Sequence, residues 1–107
     1  LPAGKGFTFF YEFARPTDRT AYSLKEFHST LKVIDLKSIR FHMERGDFER
    51  WIRQVVGDNK LADDLKNLSD KRLTEEFLRK RILEAVKSRI EELEEITSKS
   101  ATGAKQQ

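Results

Sequence analysis

The sequence predicts an α+β domain, predominantly helical, with a short aromatic β-hairpin at the N-terminus packed on four to five helices and a long C-terminal helix. Three observations predict it. Lys5–Phe13, KGFTFFYEF, alternates aromatic residues at period two, the mark of a half-buried strand. From Leu24 onward apolar residues recur at helical spacing, punctuated by Ser23, Asp35, Gly46, Gly57 and Asp58, which are cap and stop residues. The last apolar stripe, from Phe77 to Ile96, carries no internal stop.

In the strand, Phe7, Phe9, Tyr11 and Phe13 share one face, and the Phe9/Tyr11 side is expected inward. Ala14–Arg19, with Pro16 and Asp18, reads as a loop, and Thr20–Tyr22 as a short return strand. Ser23-Leu24-Lys25-Glu26 is a capping box, so a helix follows to about Val33 with Leu24, Phe27, Leu31 and Ile34 on its apolar side. Asp35 caps a second helix, Leu36–Arg45, and Gly46 stops it. Asp47 caps a third, in which Phe48, Trp51, Ile52, Val55 and Val56 follow the full amphipathic pattern. Gly57 ends that helix and Asp58 caps the next, Asn59–Leu68, with Leu61, Leu65 and Leu68 inward. The last helix is expected from about Thr74 to Ser98. Residues 1–6 read as a flexible start, 7–98 as a single domain and 99–107 as a disordered tail. The expected core is Phe9, Tyr11, Phe13, Leu24, Phe27, Leu31, Phe41, Phe48, Trp51, Ile52, Val55, Leu65, Ile82 and Val86.

Composition excludes several function classes. There is no cysteine, which removes disulfides, thiol catalysis and thiolate metal sites and fits a reducing, cytoplasmic compartment. No apolar run reaches the length of a membrane span, so no membrane partner is expected. The net charge is +3, with 11 Lys or Arg against 8 Asp or Glu in the first sixty residues and 10 against 10 afterwards. That is a mixed-sign surface rather than the basic stripe of a dedicated nucleic-acid binder.

KGFTFFYEF also overlaps the RNA-recognition signature of basic residue, glycine and alternating aromatics. Lys5, Gly6, Phe7 and Phe9 fit, but Glu12 takes an aromatic position. In that fold the signature lies on a late strand of a four-stranded sheet, and no strand pattern follows Tyr22 here. The aromatics are therefore read as core.

Phe41–Ile52, FHMERGDFERWI, is the densest stretch. Two helices joined at Gly46 suggest a helix-turn-helix, which would aim Arg50 and Arg53 at DNA with Lys60 nearby. His42 stands where that motif wants a small residue, so nucleic-acid binding is the alternative rather than the leading reading. His42 sits near a helix C-terminus, where the dipole favours a protonated imidazole, and a His42–Asp47 or Arg45–Asp47 bridge is expected across the junction. Arg45-Gly46-Asp47 is also the integrin tripeptide, better explained as helix end, stop and cap. A small-ligand site near His42 and Trp51 is the second alternative.

No phosphate-binding glycine loop, nucleophile elbow or histidine–carboxylate metal spacing occurs. The expectation is a chain that is not an enzyme and carries no cofactor or metal. In the last helix Glu91, Glu92, Glu94 and Glu95 crowd the C-terminal turns, against the macrodipole, while Arg79, Lys80, Arg81, Lys87 and Arg89 lie upstream. An antiparallel second copy would pair these charges, with Ile82, Val86, Ile90 and Leu93 as the interface.

Phe7–Phe13, TAYSLKEF (Thr20–Phe27) and FHMERGDFERWI together resemble a family of short, uncharacterised archaeal and bacterial proteins, a domain of unknown function. The resemblance covers roughly residues 7 to 70. It implies an accessory role, because such domains occur joined to carbohydrate-processing enzymes. It implies no activity, and it makes His42, Arg45, Asp47 and Trp51 the first residues to test. The leading expectation is a non-catalytic protein-interaction or accessory module that self-associates through its last helix.

Overall fold

The computed structural model describes the backbone of residues 5–106 and the side chains of residues 5–97. Most of the flexible start expected over residues 1–6 lies outside it, as do the side chains of the tail expected over residues 99–107. The order is β1 (Phe7–Glu12), β2 (Arg15–Ala21), α1 (Leu24–Leu31), α2 (Leu36–Arg45), α3 (Asp47–Trp51), a π-helical turn (Ile52–Val56), α4 (Asn59–Ser69) and α5 (Glu75–Gln106). This is the predicted class, a two-stranded antiparallel hairpin on a helical body.

The hairpin departs from its expected form in two ways. β2 takes up the stretch expected as a loop, so only Phe13 and Ala14 remain between the strands, with Ala14 at φ 61°. Pro16 is tolerated because each strand of a two-stranded sheet has a free edge. The second departure is burial. Phe7 and Phe9 are buried, but Tyr11 is 36% and Phe13 78% exposed. Register shifts between Thr8/Phe10 and Phe10/Glu12 turn the strand, so that its alternation no longer points Tyr11 and Phe13 into the core. Tyr11 and Phe13 are therefore not core. Gly6 has a packing cause: a Cβ there would lie 2.7 Å from the Tyr22 ring and 2.9 Å from the Thr20 methyl.

Local capping explains the helix starts. Ser23 accepts from the Glu26 amide, while the Glu26 carboxylate accepts from the Tyr22 amide, one residue earlier than a capping box requires. Asp35 caps α2 through the Lys37 amide, and Thr74 caps α5 through the Phe77 amide. Gly46, at φ 71°, closes α2 in the left-handed region that a side chain would disfavour. The expected third helix is split. After Trp51 the chain widens into the π turn, which closes as the Gly57 amide donates to the Ile52 carbonyl five residues back.

Asp58 both caps α4 through the Leu61 amide and accepts from Arg89 Nε on α5 at 2.6 Å. Burial pushes its carboxyl upward, but the bonds from Arg89 and Leu61 outweigh this and hold it below the usual range. Asp58→Ala is expected to cost about 2–3 kcal/mol in urea unfolding, since it orphans a cap and leaves a half-buried guanidinium facing a gap. Asp58→Ser, which can still cap, should fall between. An Asp58→Ala protein as stable as the parent overturns this.

The core is an aromatic cluster resting on aliphatic helix faces. Phe7 meets Phe9 at 5.0 Å between ring centroids, and Phe27 meets Phe48 at 5.1 Å. Leu31, Ile39, Ile52, Leu61, Ile82 and Val86 are fully buried beneath it. β1 packs on α2, and α5 packs on α1, α2 and α4. Leu24 and Val55 reach this core only in part, and Phe41 is half-exposed.

Candidate functional site

The Gly46 junction brings α2 and α3 beneath the hairpin, and His42 joins the three. It is 2% exposed. Its Nε2 accepts the Phe10 backbone N–H at 2.9 Å, and its Nδ1 lies 2.9 Å from Asp47 Oδ2. An amide can only donate, so Nε2 carries a lone pair and the proton sits on Nδ1, donated to Asp47. Burial lowers the His42 pKa and prevails over the upward pull of the Asp47 carboxylate. The imidazole is therefore neutral, and the expected protonated form at the helix end is corrected: desolvation outweighs the dipole.

Asp47 is also corrected. Gly46 is the N-cap of α3 and makes no side-chain cap bond. The Asp47 carboxylate instead gathers three donors: His42 Nδ1, Arg45 Nε at 3.1 Å and Arg50 Nη2. Both bridges considered for this junction are present. Arg50 further donates to the Arg45 carbonyl at 2.9 Å, and the Arg45 guanidinium lies 5.2 Å from the Phe41 ring centroid. Asp47 has a side chain only 16% exposed, so the Arg-Gly-Asp tripeptide is a folded junction rather than a presented loop. Trp51, 6% exposed, donates Nε1–H to the Lys5 carbonyl at 2.9 Å and anchors the chain leading into β1.

Above this network lies a cleft of about 530 Å³. Phe10, Phe13, Phe41 and Trp51 form apolar walls, while His42, Asp47, Arg45 and Arg50 line its polar side. Sequence reasoning placed His42, Arg45, Asp47 and Trp51 together, and the fold brings all four to this cleft. It put Phe13 and Phe41 in the core and left Phe10 outward. The available signal was Phe10 itself, a second aromatic on the opposite face of an already aromatic strand.

The other candidates do not converge. Arg50 lines the cleft, Arg53 bridges Glu49 and Asp63, and Lys60 bonds Glu92. Each cation expected at nucleic acid thus meets a carboxylate of its own chain. For self-association, Ile82 and Val86 are 0% exposed and already belong to the core. Ile90 packs against that core, and Leu93 is half-buried. The acidic end of α5 has partners within the chain: Glu94 meets Lys25 on α1, and Glu92 meets Lys60 on α4 and Arg89. The charge asymmetry that suggested a second copy is partly satisfied by the fold.

Among the described residues no helix is long and apolar enough to cross a membrane, and no group of three or more His, Asp or Glu is placed to hold a metal ion. Residues 4–105 match the family model described as a family of unknown function (DUF5752). No curated protein and no solved structure matches the chain.

Proposed function

The chain belongs to the DUF5752 family of unknown function, and from its own residues we propose a non-catalytic binding module that takes a small, largely apolar ligand in the aromatic cleft. One observation carries this reading: a concave site of about 530 Å³, within the range of small-molecule sites, walled by Phe10, Phe13 and Phe41 with a few convergent polar groups. The histidine supports binding rather than catalysis. Nε2, the nitrogen a general base would present, is occupied by the Phe10 amide. This reading takes up the small-ligand alternative near His42 and Trp51 in place of self-association through the last helix.

Indole is a suitable probe. Titrated at millimolar concentration, it should shift the NMR resonances of Phe10, Phe41 and Val55 and of the Trp51 indole N–H. Phe41→Ala should weaken it about tenfold by removing one aromatic wall. Phe13→Ala, at an exposed position that the fold does not need, should act in the same direction. Shifts confined to other surfaces, or none, overturn the proposal.

A further inference from the structure

We propose that the cleft selects a small aromatic carboxylic acid, its ring against Phe10, Phe13 and Phe41 and its carboxylate on the terminal nitrogens of Arg45, with Arg50 adding its charge nearby. This rests on the binding reading above and names the ligand class.

Charge complementarity carries the argument. Arg45 and Arg50 supply two positive charges and Asp47 one negative, while His42 is neutral because its Nε2 accepts an amide proton. The polar side therefore holds a single excess positive charge, which a monoanion matches. The donor geometry agrees. Arg50 spends Nη1 on the Arg45 carbonyl and Nη2 on Asp47. Arg45 donates to Asp47 through Nε, and among the described residues its two terminal nitrogens have no partner. These nitrogens form a fork suited to a carboxylate. Asp47 fixes the guanidinium, and Phe41 lies beneath it at 5.2 Å, so the anion site adjoins the aromatic wall. Phe13, 78% exposed at the hairpin tip, presents the apolar surface that the ring would cover.

The test compares 3-phenylpropionate with its uncharged amide, 3-phenylpropionamide, by calorimetry. The acid should bind about tenfold to a hundredfold more tightly. Added salt should narrow the gap. Arg45→Gln should abolish the preference for acid over amide, and Arg45→Lys, which keeps the charge but not the fork, should retain part of it. Equal affinities for acid and amide, or a preference that survives Arg45→Gln, overturn this inference. In that case indole binding at the cleft still supports the wider reading. If neither probe nor indole binds, both fall. A peptide ending in free phenylalanine that binds more tightly than the small acid would overturn the small-molecule source.

Discussion

His42→Leu is expected to lower stability by about 3 kcal/mol, because it strands buried polar groups while nearly preserving side-chain volume. The Phe10 amide loses its acceptor. Asp47 loses one of three donors but keeps Arg45 and Arg50. The ring also leaves its edge contact with Phe7, at 4.7 Å between centroids. Asp47→Asn should be milder, since an amide oxygen still accepts from Nδ1. Urea unfolding of the two variants decides it: a His42→Leu protein with parental stability means the hairpin does not hang on this histidine.

The same geometry sets a pH dependence. Burial depresses the His42 pKa in the folded chain below the ordinary 6.5, against the upward pull of Asp47 and with a small further lowering from Arg45. Above that ordinary value both folded and unfolded histidines are neutral, and His42 adds no slope. As pH falls below it, the unfolded chain takes up the proton first, so stability declines toward the folded pKa. In the folded chain a proton on Nε2 would face the Phe10 N–H donor to donor. His28 contributes with the same sign, through burial and then the repulsion of Lys32 and Lys87. His28→Asn is therefore the background in which the slope is measured. It should persist there and vanish when His42→Leu is added.

The second large effect separates core from surface on α5. Val86→Asp should strongly destabilise the domain and lower its melting temperature, since an unpaired charge in a fully buried position costs about 4 kcal/mol or more against a total stability of order 5–15 kcal/mol. Leu93→Asp, at a half-buried site beyond the main core, should retain the parental melting transition. Circular dichroism gives both results. A Val86→Asp protein that melts with the parent would mean that α5 is not docked as described. Light scattering on Leu93→Asp then asks the association question without a folding artefact. Ile90→Asp is less clean, because Ile90 packs against the core and would perturb both.

The parts of the fold readable from the chain are those whose causes are local. Ser23, Asp35 and Asp58 cap helices with bonds that span two or three residues, so composition and spacing suffice to place them. Gly46 stops α2 because its own backbone takes a positive φ. The apolar faces of α1, α4 and the first half of α5 follow from period alone. Only the end of β2 was readable, as the return strand Thr20–Tyr22, because the polar stretch before it becomes a strand only by pairing with β1. The π turn was hidden, since its apolar spacing reads as an ordinary helix.

The site divides along the same line. By itself the sequence determined an aromatic, cysteine-free, mostly helical domain with His42, Arg45, Asp47 and Trp51 near one junction. Tertiary structure alone decided that His42 is neutral, that Asp47 binds three donors instead of capping a helix, and that Phe13 and Phe41 wall a cleft instead of filling the core. The reason is physical. A cap or a helical stripe depends on neighbours in the chain, but burial and protonation depend on partners the fold supplies, such as the Phe10 amide thirty-two residues from His42.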